Sequence, residues 1–577
     1  MDLSLESIHD VIHPTAAFCD PPADSNHALN STKGQEASVD WEESFLNPKN
    51  RIDSLEVPQQ PLWRIDGCTA FGGQFYAMPL FVPSVIPLRM DVFIPEPSKL
   101  PLEIREMLDV DVVFHTRDRD RISKLGLTRH VLRILHYWTS NLENPQQIYH
   151  NMPFGSRIVL HDLPINISKA SVSVTPAHAL EHQLLSVQRL TACWGPEIKL
   201  PATIDINEVV YISQLHDSVC LVKIEGKIWI FKALTSYLKY LYHELRQLLR
   251  IEPHPNVISR PGHLVTKRCG FGGKVAVLGF TLEYQTYGSL RDLIPFLQLH
   301  QRVSLAEKAK WAVQLSSALL HLRDTTDTFY PDLRLDNIVL SESRDVVMVD
   351  FEQRGVWCEF AAPEVNAIEY IRLLAVDEDI PEEVSRKYAD ILSSLLPDWK
   401  DMCEGEDYKW PSAGYNIPWA CLTPAEQEAC EVYMLGRVLW CIFEAKSAPQ
   451  RAAVWLSYRW EPVVEFPGYT TTPEPMRDLI DRCTRGRQPG LSKYIVRERN
   501  QLVLRNLEHT GRSTPQEVQD TAKDWWAREI QASEDWLQER AEGLERGDWA
   551  ENYYDRPSLR QVYTELQSYL GGLGLAA

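Results

Sequence analysis

No stretch of the sequence reaches the ~18 consecutive apolar residues that a helix needs to cross a bilayer. The most apolar window, Tyr76 to Pro95, is broken by prolines and by Arg89 and Asp91, so no membrane span is expected. Eleven cysteines occur without a CxxC pair or a regular spacing, a pattern of free thiols in a reducing compartment that excludes a zinc ribbon. Positive charge is scarce. Against 79 Asp and Glu stand 59 Lys and Arg, a net charge of −20, and such a field repels nucleic-acid backbones and anionic lipid heads. Nucleic acid is therefore not an expected partner. The opening MDLSLESIHDV lacks the positive charge and long apolar run of a secretory signal, so a cytoplasmic or nuclear location is expected, not secretion.

What is present is ordinary for a folded chain. Hydrophobic residues make up 44%, aromatics 10% and charged residues 24% of 577 positions, enough for several cores. Residues 1–60, rich in Asp, Glu, Asn, Ser and Pro, read as a disordered tail. Residues 61–200 read as an α/β module of unknown function. It has strand-like runs at 74–82, 90–94 and 109–116, one amphipathic helix over 121–142, and a turn at Gly72-Gly73. Residues 205–284 read as a five-stranded antiparallel sheet with one helix. The strands are Val209–Leu215, Val219–Glu225, Lys227–Leu234, 263–269 and 274–284, and the helix is Tyr237–Arg250, stopped by Pro253 and Pro255. The Gly270-Phe271-Gly272-Gly273 turn lacks the spacing of a phosphate loop and reads as a hairpin. From Ser289 the pattern is helical, with a capping box at Ser304-Leu305-Ala306-Glu307 opening a long helix to about Arg323. Further helices are expected at 364–375, 383–396, 424–445, 475–485, 514–543 and 557–570.

Along this order lie several ordered motifs. Trp229-Ile230-Phe231-Lys232 ends a strand, Glu244 sits in the following helix, and His254-Pro255-Asn256-Val257-Ile258 comes after it. Leu282-Glu283-Tyr284 precedes Gly288-Ser289-Leu290-Arg291-Asp292. Then come Tyr330-Pro331-Asp332-Leu333-Arg334-Leu335-Asp336-Asn337, Asp350-Phe351-Glu352, Ala362-Pro363-Glu364 and Asp555-Arg556-Pro557-Ser558. The Asp-to-Asn spacing has a chemical reason. An aspartate at the start of a tight loop can accept the proton of an attacking hydroxyl, while an asparagine five positions on turns back to ligate magnesium.

In this order the motifs resemble the eukaryotic protein-kinase family over roughly residues 205–570, in a divergent form with D-F-E for D-F-G, similar to kinase-like proteins of filamentous fungi. The resemblance implies a bilobal α+β fold, with an N-lobe at 205–284, a C-lobe at 285–570 and the 61–200 module added in front. It implies ATP and Mg²⁺ as cofactors. Lys232 would hold the phosphates and Glu244 would position that lysine. Glu283 and Tyr284 would form the hinge facing the adenine, with Leu282 as gatekeeper, and Asp292 would face the ribose. Asp332 would be the catalytic base, Arg334 would neutralise the transferring phosphoryl, and Asn337 and Asp350 would ligate the metal. Glu364 and Arg556 would form a buried structural ion pair. Ser289 and Asp292 can equally serve as a plain helix cap.

Departures from the family are equally plain. No GxGxxG lies between Val209 and Lys232, and Asp217 adds a negative charge where phosphates would sit. Tyr330-Pro331 replaces the family's H-R. The segment from Asp350 to Glu364 contains no Ser, Thr or Tyr. Glu352 replaces a glycine and either repels ATP or adds a metal ligand. Glu431 replaces an aspartate in the expected central helix. Insertions fall at about 376–420 and 485–550. Within the first, residues 376–407 carry eleven acidic and three basic residues, a local charge of −8 that is a solvated face or attracts a basic partner. Trp525, Trp526, Trp536 and Trp549 in the second pack internally or line a groove. The implied activity is transfer of the ATP γ-phosphate to a hydroxyl of a protein Ser or Thr. The alternatives are a pseudokinase scaffold that recruits a protein partner and a kinase acting on a small molecule.

Overall fold

The computed structural model describes residues 5–18, 56–69, 73–82, 89–96, 100, 102–108, 110, 119–270, 272–326, 328–405, 407–409, 414–449, 466–498, 501–505 and 513–574. Helix, about 47% of the described residues, outweighs strand, about 17%, and the architecture is a mixed α and β one with several sheets.

The tail expectation fails at its start. Helix α1 (Leu5–Ile12) and the short turn Pro14–Ala17 bury Val11, Thr15 and Ala16, because a tryptophan more than five hundred positions away receives them: Trp526 Nε1 donates to Val11 O at 2.8 Å. Residues 19–55 of that tail lie outside the described residues.

Strands β1 (Trp63–Cys68), β2 (Gln74–Pro79), β3 (Met90–Phe93), β4 (Arg157–Leu160) and β5 (Val172–Thr175) form one sheet in sequential order. The pair β3/β4 is parallel and the rest antiparallel. β1 and β2 flank the expected glycine turn, of which Gly72 lies outside the described residues. Helix α2 (Gly126–Ser140) buries Leu127, Val131, Ile134 and Leu135 at three-and-four spacing in this sheet's own core. The single helix expected over 121–142 is broken. Leu125 is extended (ψ 144°) and precedes Gly126, a poor helix former, so a separate turn Arg119–Lys124 comes first. Of the expected strand at 109–116, residues 111–116 lie outside the described residues. Leu180, Leu184, Leu190 and Trp194 belong to the second, larger core, so the change of core falls before residue 180 and not near 200.

The second sheet has the order β6-β10-β11-β9-β8-β7, from β6 (Ala202–Asp205), β7 (Val210–Gln214), β8 (Val219–Ile224), β9 (Lys227–Ala233), β10 (His263–Arg268) and β11 (Val275–Glu283). Five of these are the expected antiparallel strands. The sixth, β6, pairs parallel with β10. It was not marked in the pattern because none of its four residues is fully buried; Ile204 packs half-buried against the core, and its carbonyl accepts from Thr266 Oγ1 at 3.2 Å. Glu225 and Gly226, both at positive φ, make the tight β8–β9 turn. Helix α3 (Leu238–Arg250) buries Leu238, Leu241, Leu245 and Leu248, and Tyr242 ties it to the sheet by donating to Val277 O at 2.9 Å.

The remainder is mainly helical: α4 (Leu290–Leu299), α5 (Leu305–Thr326), α6 (Pro363–Val376), α7 (Glu382–Leu395), α8 (Pro424–Glu444), α9 (Glu474–Cys483), α10 (Pro515–Arg546) and α11 (Leu559–Gly572). The hairpins β12/β13 (Ile338–Leu340, Val346–Met348) and β14/β15 (Ile495–Glu498, Gln501–Leu504) interrupt them. The Ser304/Glu307 capping box forms in both directions. Helix α8 is the axis, buried at every residue from Ala429 to Glu444. Gly436 lets α9 close on it, since a Cβ there would lie 2.7 Å from Cys483 Cβ. No helix of the described residues is long and apolar enough to cross a membrane.

The expected pair Glu364–Arg556 forms. Arg556 donates to both carboxylate oxygens at 2.8 and 3.0 Å and to Ala429 O and Arg485 O, all away from water. It ties the start of α6 to α8 and to the approach of α11. Arg556→Ala leaves Glu364 buried and unpaired, and the expected loss is ~3–5 kcal/mol in urea unfolding. A loss below ~1 kcal/mol would show that the pair does not hold these helices together.

Candidate functional site

Strand β9 delivers Lys232 to the inner end of the second sheet. Gly279 makes this possible: a Cβ there would fall 2.1 Å from Lys232 O, so only glycine lets β11 lie against this strand. The ammonium meets three carboxylates, Glu244 Oε2 at 2.5 Å, Asp350 Oδ1 at 2.7 Å and Glu352 Oε1 at 2.9 Å. All three are ion pairs, and the Asp350 contact is also a hydrogen bond. Glu244, from α3, also accepts from Phe351 N at 3.0 Å, which fixes the start of the 350–364 segment. The other oxygen of Glu352 pairs with Arg354 Nε at 2.6 Å. Burial opposes the charge on Lys232, yet Asp350, Glu244 and Glu352 hold its pKa well above the ordinary lysine value. Burial, with Asp350 and Glu352 adding to it against Lys232, pushes the Glu244 carboxyl up to about 7. Asp350 goes the other way: despite burial, Lys232 and then Arg334 and Arg354 hold it below the usual range.

The turn after β13 does not need the glycine that Glu352 replaces. Positive φ falls on Asp350 (69°) and Gln353 (48°), and a short polar side chain such as aspartate tolerates that region. Gln353 is anchored by His243 Nε2 at 2.7 Å and donates to Phe329 O at 2.8 Å.

Asp332 sits on the loop between α5 and β12. Glu431 of α8 accepts from Tyr330 N at 2.7 Å and pairs with Arg323 at 2.8 Å, so the longer acid still reaches the loop it supports. Tyr330 donates through its hydroxyl to Val349 O, joining the loop to the residue before Asp350. Asn337 Nδ2 donates to Asp332 Oδ2 at 2.8 Å and to Asp332 O at 3.1 Å, leaving its amide oxygen as the acceptor for a cation. Arg334 pairs with Asp332 at 3.0 Å and lies over the Trp357 ring at 4.5 Å. Burial, with Asp350 adding to it against Arg334, raises Asp332 to about 6. A cavity of about 360 Å³ opens here, lined by Asp332, Arg334, Asp350, Glu352, Arg354 and Trp357 among others.

The residues expected to form a hinge stand apart from this cluster. Glu283 pairs in register with Trp229, three positions before Lys232 and so ~10 Å along the strand. Glu283 is exposed beside Ser259, and Tyr284 is half-buried. Asp292 is exposed and accepts from Ser289 Oγ at 3.2 Å at the start of α4, where the Ser289 side chain makes no capping hydrogen bond to the helix backbone. Asp217 uses its carboxylate within its own turn, accepting from Ser218 N at 2.8 Å and pairing with His216.

Sequence reasoning missed what holds the glycine-free β7–β8 hairpin. Two Arg-x-Asp pairs on the first sheet grip it. Asp66 accepts from Tyr211 Oη at 2.7 Å and Gln214 N at 3.0 Å, and Arg64 donates to Ile212 O at 2.9 Å. Arg89, paired with Asp91 at 2.9 Å, donates to Asp217 O. The signal was an arginine and an aspartate two apart on each strand, which period two puts on one face.

Glu244, Asp350 and Glu352 offer carboxylate oxygens that all lie within 4.8 Å of one another. They suit a hard cation such as Mg²⁺. Counting Glu244, Asp332, Asp350 and Glu352 against Lys232, Arg334 and Arg354 leaves one negative charge in excess, which a cation would offset. Lys232→Met strips the three carboxylates of their shared ammonium. The expected cost is ~3–5 kcal/mol at pH 8, shrinking toward pH 5 as Glu244, which burial raises to about 7, takes up a proton. Denaturant melts of both chains at the two pH values check this, and an equal cost at both would refute the shared-charge description. No protein-family model matches the chain, and no curated protein matches it in sequence.

Proposed function

We propose that the chain is a divergent kinase-like phosphotransferase that binds ATP with Mg²⁺ between the second sheet and the helical part. It would move the γ-phosphoryl to a hydroxyl of a protein Ser or Thr. The observation that carries this reading is the convergence of Lys232, Glu244 and Asp350 within 2.7 Å contacts while Asp332 and Asn337 share a hydrogen bond.

On this reading Lys232 exchanges one carboxylate for a phosphate oxygen. Glu352 is the one replaced, because Arg354 already holds its second oxygen. Glu244 keeps the ammonium in place. Asp350 and Asn337 would hold Mg²⁺, which offsets phosphate charge when bound. Asp332 orients the acceptor hydroxyl and takes its proton, and Arg334, steadied by Trp357, faces the developing negative charge.

A second reading, a binding scaffold without catalysis, draws on a different fact. Lys232 is ion-paired with three carboxylates of the protein itself, and the hairpin over the site is side-chain-bearing and clamped. Labelled ATP with Mg²⁺ and a mixed protein substrate separates the two. Asp332→Ala is expected to lower transfer about 10²–10⁴-fold, and native transfer is expected to fall as pH drops through about 6, where Asp332 gains its proton. Transfer indifferent to Asp332→Ala rejects the assigned roles, and absence of nucleotide binding favours the scaffold.

A further inference from the structure

A second cavity, of about 290 Å³, lies between α6, α8 and α10, away from the Lys232 cluster. Its walls are aromatic: Tyr370, Tyr433, Trp525, Trp526 and Trp536. Tyr370 and Trp525 both meet the Trp526 ring edge-on, at 5.0 and 4.6 Å. Two carboxylates, Glu359 and Glu529, also line it. Glu359 accepts from Trp357 Nε1 at 3.2 Å, whereas the Glu529 side chain makes no hydrogen bond or ion pair among the described residues. Burial pushes both carboxyls up to about 7. Asn366 donates to Cys358 O at 3.1 Å, which leaves its buried Oδ1 with no partner, and the buried Trp536 Nε1 has none either. Arg437 is the one cation among the described lining residues, and it is committed to Glu359 O at 3.1 Å and to the Phe466 ring at 4.5 Å.

We propose that this cavity binds the arginine or lysine side chain of a basic peptide, its cation held against the tryptophan and tyrosine faces and neutralised by Glu529. Aromatic faces attract cations, more strongly when water is excluded, and a carboxylate with no internal partner supplies a charge-assisted hydrogen bond. The Asn366 amide oxygen is a further acceptor for the same N–H groups. The volume sits at the low end of the ~300–1,000 Å³ typical of small-molecule sites, a size for one extended side chain and not for a nucleotide. A peptide is favoured over a free amine by the surroundings. Helix α6, which lines the cavity, runs directly into the acidic residues 377–407, a field that would draw further basic residues of the same chain. The tryptophan cluster thus packs internally, as one of the sequence alternatives had it, while leaving this opening. The inference stands whether or not the Lys232 site transfers phosphate.

The test titrates acetyl-Ala-Arg-Ala-Arg-Ala-amide into the full chain, read by calorimetry and by tryptophan emission, which reports the walls directly. The peptide is expected to bind with a change in emission. Replacing its arginines by citrulline, which keeps the shape and removes the charge, is expected to weaken binding about tenfold or more. Glu529→Gln should do the same with an unchanged circular dichroism spectrum, and Ala532→Leu, which fills the cavity without touching the charge, should abolish binding. Equal affinity for the citrulline peptide, or full affinity in folded Glu529→Gln, would overturn the proposal. So would binding of agmatine as tight as that of the peptide, which would assign the cavity to a free amine.

Discussion

One ammonium among three carboxylates organises this molecule. Lys232 comes from a strand, Glu244 from a helix and Asp350 with Glu352 from the segment after β13, so the contacts of a single side chain join three separate parts of the chain. Buried charges of one sign are tolerated only with a partner at hand. Much nearby geometry follows from that requirement. Gly279 lets β11 reach the strand that carries Lys232, and Glu244 holds Phe351 N as well as the lysine. Asp350 keeps a left-handed backbone that costs ~1–3 kcal/mol unless its surroundings impose it.

A second constraint acts from outside. The hairpin beside the cluster lacks glycines, and side chains would keep its backbone from approaching a phosphate. The first sheet instead fixes that hairpin through Asp66 and Arg89, so side chains tie the two sheets together. Charge and hydrogen bonding replace flexibility here. The same logic recurs at the loop of Asp332, which Tyr330 and Glu431 hold by side-chain hydrogen bonds.

Much of this was legible from local pattern. The alternation of β7 to β11, the Ser304/Glu307 capping box and the long apolar face of α8 each settle their elements within a residue or two, because local chemistry alone decides them. The spacing of Asp332 and Asn337 likewise announced a loop that turns back on itself, though not the hydrogen bond between the two. Other features were hidden for physical reasons. β6 has no fully buried side chain to mark it. α1 is ordered by Trp526, far along the chain. The role of Glu352 depends on where Lys232 and Arg354 arrive in space, which no spacing encodes. A charged residue in place of glycine reads as a defect in the line of text and as a third partner in the fold.

The most direct test of the central claim is calorimetric titration of MgADP into the native chain and into Glu352→Gln. If the ammonium of Lys232 is the phosphate-gripping group and Glu352 its replaceable partner, the nucleotide binds one to one and binds more tightly once that carboxylate loses its charge. No binding in either chain, or weaker binding in Glu352→Gln, would contradict the account.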